Sequence, residues 1–254
     1  MLSRLLFWKR PVDPVIEHEG IFFPVSTLQI LLAQSAAAEV RRRFESEGNI
    51  FETINVNREF QRAFIDSYIQ ANRNYFQLIK PQIPIDCRRV LDIGCGVGLL
   101  DLLIYRSAEG KKPKLFLFDK SVDSAAFSRA GIAPTGFNES YVFTASLEQS
   151  ARFLRLNGVA GDDIVLCEVG AWNIRDGGPF DLIFLRKSWG FHYPLTDYLT
   201  DVARSLGKHG VVITDVRAGQ GGEALLHEHF GHVGVLEQGS KSALMFANAA
   251  KGLP

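Results

Sequence analysis

No apolar run in this chain approaches the roughly 20 residues that a membrane-spanning helix needs. Cysteine is scarce. Cys87, Cys95 and Cys167 are the only three, none stands in a C-x-x-C pair, and an odd count builds no disulfide framework. They are expected as free buried thiols of a reducing compartment, which places the chain in the cytoplasm. An excess of one charge is missing too: 28 Lys and Arg balance 28 Asp and Glu. A nucleic-acid binder usually carries a basic excess, because phosphate neutralisation supplies much of its affinity. No nucleic-acid partner is expected on that ground. Internal repeats and low-complexity segments are also absent. What remains is ordinary for a globular protein, with 46% hydrophobic and 22% charged residues over 254 positions. That length suffices for one large α/β domain with an added cap.

The start, "MLSRLLFWKRPV", interleaves Leu, Phe and Trp with Arg4, Lys9 and Arg10. Its apolar core is too short for a signal peptide and no small-residue cleavage site follows. As a short amphipathic helix it could touch a membrane surface, but packing on its own domain or fraying is the simpler expectation. Two helical stretches follow. Ser26 and Thr27 cap one that carries Leu28, Leu31, Leu32, Ala36, Val40 and Phe44, with Gly48 at its end. Asn57 caps the other, with Phe60, Phe64, Tyr68, Ile69, Phe76 and Ile79 along one side, and Pro81 and Pro84 stop it. These stripes read as packing surfaces.

From Arg88 the pattern becomes short apolar runs separated by helices: "RVLDIG", "KLFLFD", "DIVLCEVG", "FDLIFL" and "GVVITDV". Alternation of this kind predicts βαβ units and a parallel sheet covered on both faces. "HVGVLEQG" and "KSALMFANA" have no helix between them and predict an antiparallel hairpin that closes the sheet. The expected fold is α/β: a Rossmann-like, doubly wound, mostly parallel sheet of about seven strands with an antiparallel terminal hairpin, preceded by a helical N-terminal cap. The expected division is a cap region over residues 1–84, a main domain over 85–249 and a tail over 250–254.

"VLDIGCGVGLL" is the most informative stretch. A buried-strand run meets Gly94, Gly96 and Gly98, and "LLDLLIY" then starts a helix. Glycines at such a turn let backbone approach a ligand closely. A dinucleotide site wants G-x-G-x-x-G, whose third glycine would fall on Leu99; here it is Gly98, giving G-x-G-x-G. Asp92 stands two residues before the first glycine, where a carboxylate repels a pyrophosphate and suits a cationic ligand.

"LDIGCGVG" resembles the first motif of the class I S-adenosylmethionine (SAM)-dependent methyltransferases, an acid followed by x-G-x-G-x-G. The resemblance covers about Arg88 to Ala247, the length of one ordinary domain. It implies SAM as cofactor, with Asp92, Gly94, Gly96 and Gly98 around its methionine part. The family's second motif, an acid ending the second strand that holds both ribose hydroxyls, falls on Asp119 in "LFLFDKS". A carboxylate suits that task because it accepts two hydrogen bonds at once. The family's third acid, toward the adenine amine, falls on Glu168, with Trp172 and backbone groups as the alternative.

In a doubly wound sheet, ligands sit beyond the carboxyl ends of the strands, near the switch point. "RKSWGFHYP" follows the fourth of these strands and so lies where the methyl acceptor should meet the sulfonium. An alcohol hydroxyl is a poor nucleophile at neutral pH, and His192, titrating near pH ~6.5 when unperturbed, is the candidate general base. Trp189 and Tyr193 are candidates for stacking on the acceptor. Arg186 is a candidate for holding an acidic group on it. Each also has a plain reading: a turn histidine, packed aromatics and a solvated loop edge. The Pro-Pro-aromatic motif of nucleobase amino methyltransferases, the carboxylates of metal-dependent O-methyltransferases and a Pro-Cys nucleophile are all missing here. Metal-free O-methylation of a hydroxyl on a small molecule or sugar is the reading that survives. "SWGFHYP" with "TDYL" also resembles a segment of bacterial sugar O-methyltransferases. Open beside it are methylation of nitrogen or carbon, a SAM-binding subunit without activity, and a nicotinamide-dependent oxidoreductase. "LHEHFGH" places His227 and His229 two apart, so on a helix they do not converge on a metal, and with His232 they read as a solvated helix end.

Overall fold

The computed structural model describes residues 13–34, 53–54, 56–121, 146–186, 188 and 194–251. The chain opens with a two-stranded hairpin, β1 (Val15–His18) and β2 (Ile21–Pro24), followed by α1 (Val25–Gln34). The hairpin is a departure from the sequence reading. Its turn residues are Glu19 and Gly20, both left-handed at φ 50° and 71°. A two-residue turn of that hand suits a hairpin, but Glu-Gly is a far weaker signal than Asn-Gly. Helix α1 starts one residue before its expected cap, and Asp13 takes the cap role. Its carboxylate accepts the Ser26 N–H at 3.1 Å and the Ser26 hydroxyl at 2.5 Å. The expected continuation of this helix to Gly48 lies outside the described residues, as do Met1–Arg10.

Helix α2 (Arg58–Ile79) is the one expected after Asn57, whose side chain accepts the Phe60 N–H. Then come β3 (Arg89–Ile93), α3 (Leu99–Ser107), β4 (Lys114–Asp119), α4 (Leu147–Leu156), β5 (Ile164–Glu168), β6 (Phe180–Phe184), α5 (Leu199–Ser205), β7 (Leu206–Arg217), α6 (Gly222–His229), β8 (Phe230–Gln238) and β9 (Ser242–Ala250). The helix expected in "SVDSAAFSRAG" falls outside the described residues. Helix α4 is fixed by a capping box in which Ser146 and Gln149 each bond the other's backbone N–H. Helix α5 stops at Ser205 although the sequence suggested a longer one. Gly207 and Gly210 begin β7 instead, because a Cβ at either would come within 3.0 Å of the Phe180 carbonyl. Only glycine lets the strand lie that close to β6.

The seven-stranded sheet has the order β5-β4-β3-β6-β7-β9-β8. All pairs are parallel except β7 with β9 and β9 with β8. The fold is thus the Rossmann-like, mostly parallel sheet with an antiparallel terminal hairpin that the pattern implied. The chain winds outward from β3 to β5, returns, and winds the other way from β6. That reversal puts the switch point between β3 and β6. One sheet face packs against α1 to α4, with Phe23, Phe60, Phe64 and Phe153 fully buried there. The other packs against α5 and α6. Asn157, beyond α4, ties the first hairpin to this core. Its side chain accepts the Phe22 N–H and donates to the Phe22 carbonyl, both at 2.8 Å. The three cysteines are free and buried.

Candidate functional site

The turn from β3 into α3 lies at the switch point. Gly94, Gly96 and Gly98 have φ of 84°, 55° and 86°, the left-handed region where a Cβ is strained. The Gly94 N–H donates to the Phe118 carbonyl at 2.7 Å, which fastens the turn to the end of β4. A Cβ on Gly94 would lie 2.5 Å from both Cβ and Oγ of Ser188. The Ser188 hydroxyl in turn donates to the Ile93 carbonyl at 2.5 Å. Ser188, beyond β6, therefore lies directly over the glycine turn. From the other side, the Ser150 hydroxyl of α4 donates to the Gly96 carbonyl.

Asp119 ends β4 and is turned onto this loop. One carboxylate oxygen accepts the Gly96 N–H at 3.1 Å and the other accepts the Lys120 N–H at 2.8 Å. The first oxygen also takes a weak bond from the Cys95 thiol at 3.9 Å, and the second keeps a lone pair for a further donor. Burial pushes its pKa up to about 6, and the two backbone N–H groups work against that rise. Glu168 is the last residue of β5, in register with Asp119. It accepts the Ser121 N–H at 2.8 Å. The two acids stand side by side at adjacent strand ends. Trp172 is occupied otherwise. Its ring lies 6.2 Å from Phe116 and 5.8 Å from Phe118, over Gly177, where a Cβ would strike it. It packs in the second core.

Asp92, near the end of β3, is 4% exposed. Burial pushes its pKa well above the usual carboxylate range, and the neighbouring Asp101 and Asp119 push it further. The other half of the site was not legible in the sequence. Tyr68, Asn72 and Tyr75 of α2 line one side of the mouth. Arg186, just beyond β6, donates to the Asn72 amide oxygen at 2.8 Å and stacks over the Tyr75 ring at 4.9 Å. It is held between helix and strand end, not on a solvated loop edge. The Tyr75 hydroxyl donates to the Leu185 carbonyl at 3.3 Å. Burial pushes the Tyr68 hydroxyl up to about 12, with the Arg186 charge opposing. One signal for this cluster was present: Asn72 interrupts the apolar stripe of α2, and a polar residue on a buried stripe needs partners. Asp215, on β7, is 8% exposed and faces Tyr75.

His192, Trp189 and Tyr193 lie outside the described residues. His227 and His229 sit on α6, the latter bonded to the Leu225 carbonyl at 3.0 Å, while His232 is on β8 against Phe246.

The described site gathers three acids, Asp92, Asp119 and Glu168, around a glycine turn. A pyrophosphate there would meet like charge, whereas a cation with a vicinal diol is matched. The donor set fits SAM: acceptors for a ribose diol at Asp119, a buried acid at Asp92 for an ammonium group, and glycine backbone with no Cβ to hold a ligand off.

No protein-family model matches the chain, and no curated protein matches it. Solved structures do. One is the 16S rRNA N2 G1207 methyltransferase of T. Thermophilus in complex with AdoMet and guanosine, at 17% identity and TM-score 0.48 over 70% of this chain and 43% of that one. Another is the ribosomal protein L11 methylase of Lactobacillus delbrueckii subsp. bulgaricus, at 19% identity and TM-score 0.46 over 68% and 77%. A third is the magnesium protoporphyrin IX methyltransferase of Synechocystis PCC 6803 with bound SAM, at 12% identity and TM-score 0.46 over 87% and 97%. Likeness this distant carries nothing about residue roles.

These names do correct one expectation. Two of the similar proteins are named for ribosomal RNA or a ribosomal protein, so the exclusion of a nucleic-acid partner, and the restriction to a small-molecule or carbohydrate acceptor, do not stand. The physical reason is that net charge sums over the whole chain, while affinity for phosphate depends on charge at one surface. No helix among the described residues is long and apolar enough to cross a membrane. The suggested surface contact of the N-terminus falls outside the described residues.

Proposed function

We propose that this chain is a SAM-dependent methyltransferase whose acceptor atom is a hydroxyl oxygen. The observation that carries the first half is the aim of Asp119: its carboxylate, held by the Gly96 and Lys120 N–H groups, faces the glycine turn at the switch point. In this reading Asp119 accepts the two ribose hydroxyls and Asp92 faces the ammonium group. Gly94, Gly96 and Gly98 let the backbone close on the methionine part. Glu168 flanks the adenine side. SAM, when bound, supplies an electrophilic methyl group and its own leaving group. The chain has three tasks left: to align the acceptor, exclude water and remove a proton.

His192 removes that proton from the acceptor hydroxyl. Arg186, pinned by Asn72 and Tyr75, offers a charge to an acidic group of the acceptor, and Trp189 and Tyr193 supply stacking faces. Helix α2 contributes a wall of the site through Tyr68, Asn72 and Tyr75.

Equilibrium dialysis against labelled SAM and labelled NAD separates this reading from the oxidoreductase one. SAM is expected to bind at one site per chain and to be displaced by its demethylated product, with NAD failing to compete. Displacement of SAM by NAD, or binding of NAD alone, overturns the proposal.

A further inference from the structure

Asp101 has no role in the reaction as proposed, yet it is the most deeply buried acid of the site. It lies in the first turn of α3 at 0% exposure, and neither of its carboxyl oxygens makes a well-formed hydrogen bond to a donor of another residue among the described ones; the nearest backbone donor is its own N–H. What it meets is the carboxyl of Asp92, within hydrogen-bonding reach. Two ionised carboxylates in a dry contact repel, and two acceptors bond only when a proton lies between them.

Among the described residues, no cation acts directly on either carboxyl at this contact. Asp119 faces Asp92 from β4, and Cys95 of the glycine turn faces all three acids. From α2, Tyr68 faces both Asp92 and Asp101, with Arg186 beyond it. Tyr75 faces Asp92, Arg186 and Asp215 of β7. Arg186 itself is committed to Asn72 and the Tyr75 ring.

We propose that Asp92 and Asp101 share one proton in the free protein, and that a cationic ligand seated against Asp92 expels it to solvent. The inference rests on the SAM reading and deepens it, because it makes cofactor binding proton-linked. The charge balances: the pair passes from one negative charge to two, the ligand's ammonium group offsets the second, and the proton leaves to bulk water. Asp101 is thus a positioning residue that acts through Asp92. Burial supports the assignment, since it pushes Asp101 up to about 7.

The sign follows. In the free fold Asp101 keeps a proton that the unfolded chain loses above about pH 4. Stability of the free protein therefore falls as pH rises from about 4 to about 7. Over the same window SAM affinity rises, by up to about tenfold per pH unit for one proton released.

Titration calorimetry of SAM into the full chain near pH 6, in two buffers of different ionisation enthalpy, reads the expelled proton directly. The expected result is a buffer-dependent heat equal to about one proton per SAM bound, below the pKa of the pair. Asp101→Asn keeps a donor toward Asp92 that cannot titrate, so its proton release should fall by about one relative to the wild type, and what pH dependence remains is that of Asp119. SAM binding by the wild type without proton release overturns the inference and leaves the proposed function standing. So does undiminished release by Asp101→Asn. Failure of SAM to bind at all overturns the proposed function and the expulsion step with it. The shared proton is then judged in the free protein. Infrared spectra near pH 6 should show a protonated-carboxyl stretch that Asp101→Asn reduces by one carboxyl, leaving only the part that Asp119 supplies, and a spectrum with only ionised carboxylates would refute the pair. If Asp101→Asn does not fold, pH titration of that band in the wild type decides the same question: a band lost near pH 7 supports the pair, and its absence throughout refutes it.

Discussion

Asp119→Ala is expected to weaken SAM binding by a factor of about 10²–10⁴, because two charge-assisted hydrogen bonds at about 1.5–3 kcal/mol each disappear. The loss has two parts. The ribose hydroxyls lose their acceptors, and the Gly96 N–H loses the oxygen that holds it at 3.1 Å. Asp119→Asn separates the parts. Its amide oxygen retains one backbone bond, and its amide hydrogens meet a hydroxyl or N–H where an acceptor stood. Dialysis of both variants, with a thermal melt to confirm folding, checks the result. Unchanged SAM affinity in Asp119→Ala would remove this carboxylate from the cofactor site. The pH dependence has a defined sign as well. Burial raises Asp119 to about 6, so in the free protein its acceptor power is lost as pH falls through about 6.

His192→Ala should lower turnover by about 10²–10⁴, the usual worth of a positioned general base, while SAM affinity stays close to the wild-type value. The split follows from what each group touches. In the proposed mechanism His192 addresses the acceptor hydroxyl, while the glycine turn and Asp119 hold the cofactor. The rate in the wild type should also rise with pH as the imidazole loses its proton, and that limb should vanish in the variant. A nitrogen acceptor needs less help with its proton. A mild effect of His192→Ala, with transfer intact, would therefore move the acceptor from oxygen to nitrogen.

The strand pattern from Arg88 onward was readable because a parallel sheet buried on both faces demands short, nearly continuous apolar runs, and the chain supplies them. The glycine register and the two acids were readable for a related reason. Backbone at φ between 55° and 86° strongly favours glycine, and strand ends at a switch point have fixed neighbours. Glu168 was ambiguous in sequence because "CEVG" gives no sign of where β5 stops; its pairing with Asp119 does. What sequence could not give was contact between distant segments. Arg186 looked like a loop cation until α2 was placed beside it. Asp101 looked like an ordinary first-turn acid on α3, and only burial beside Asp92 shows it to be unusual. The early hairpin escaped because Glu19 occupies a left-handed position that sequence rules assign to Gly or Asn. Trp172 is the alternative to Glu168 that the resemblance leaves at the adenine, but Phe116, Phe118 and Gly177 already fill its surroundings.

The most direct test of the central claim is methyl transfer itself. The pure full-length chain would be incubated with SAM labelled in its methyl group and a fractionated cell extract, with small-molecule, carbohydrate, protein and nucleic-acid fractions counted separately. The account expects label to accumulate in one fraction, only with active protein, in a form that resists mild base as an ether does. Label retained on SAM in every fraction, while the protein binds SAM stoichiometrically, would contradict it and leave a SAM-binding subunit without activity of its own.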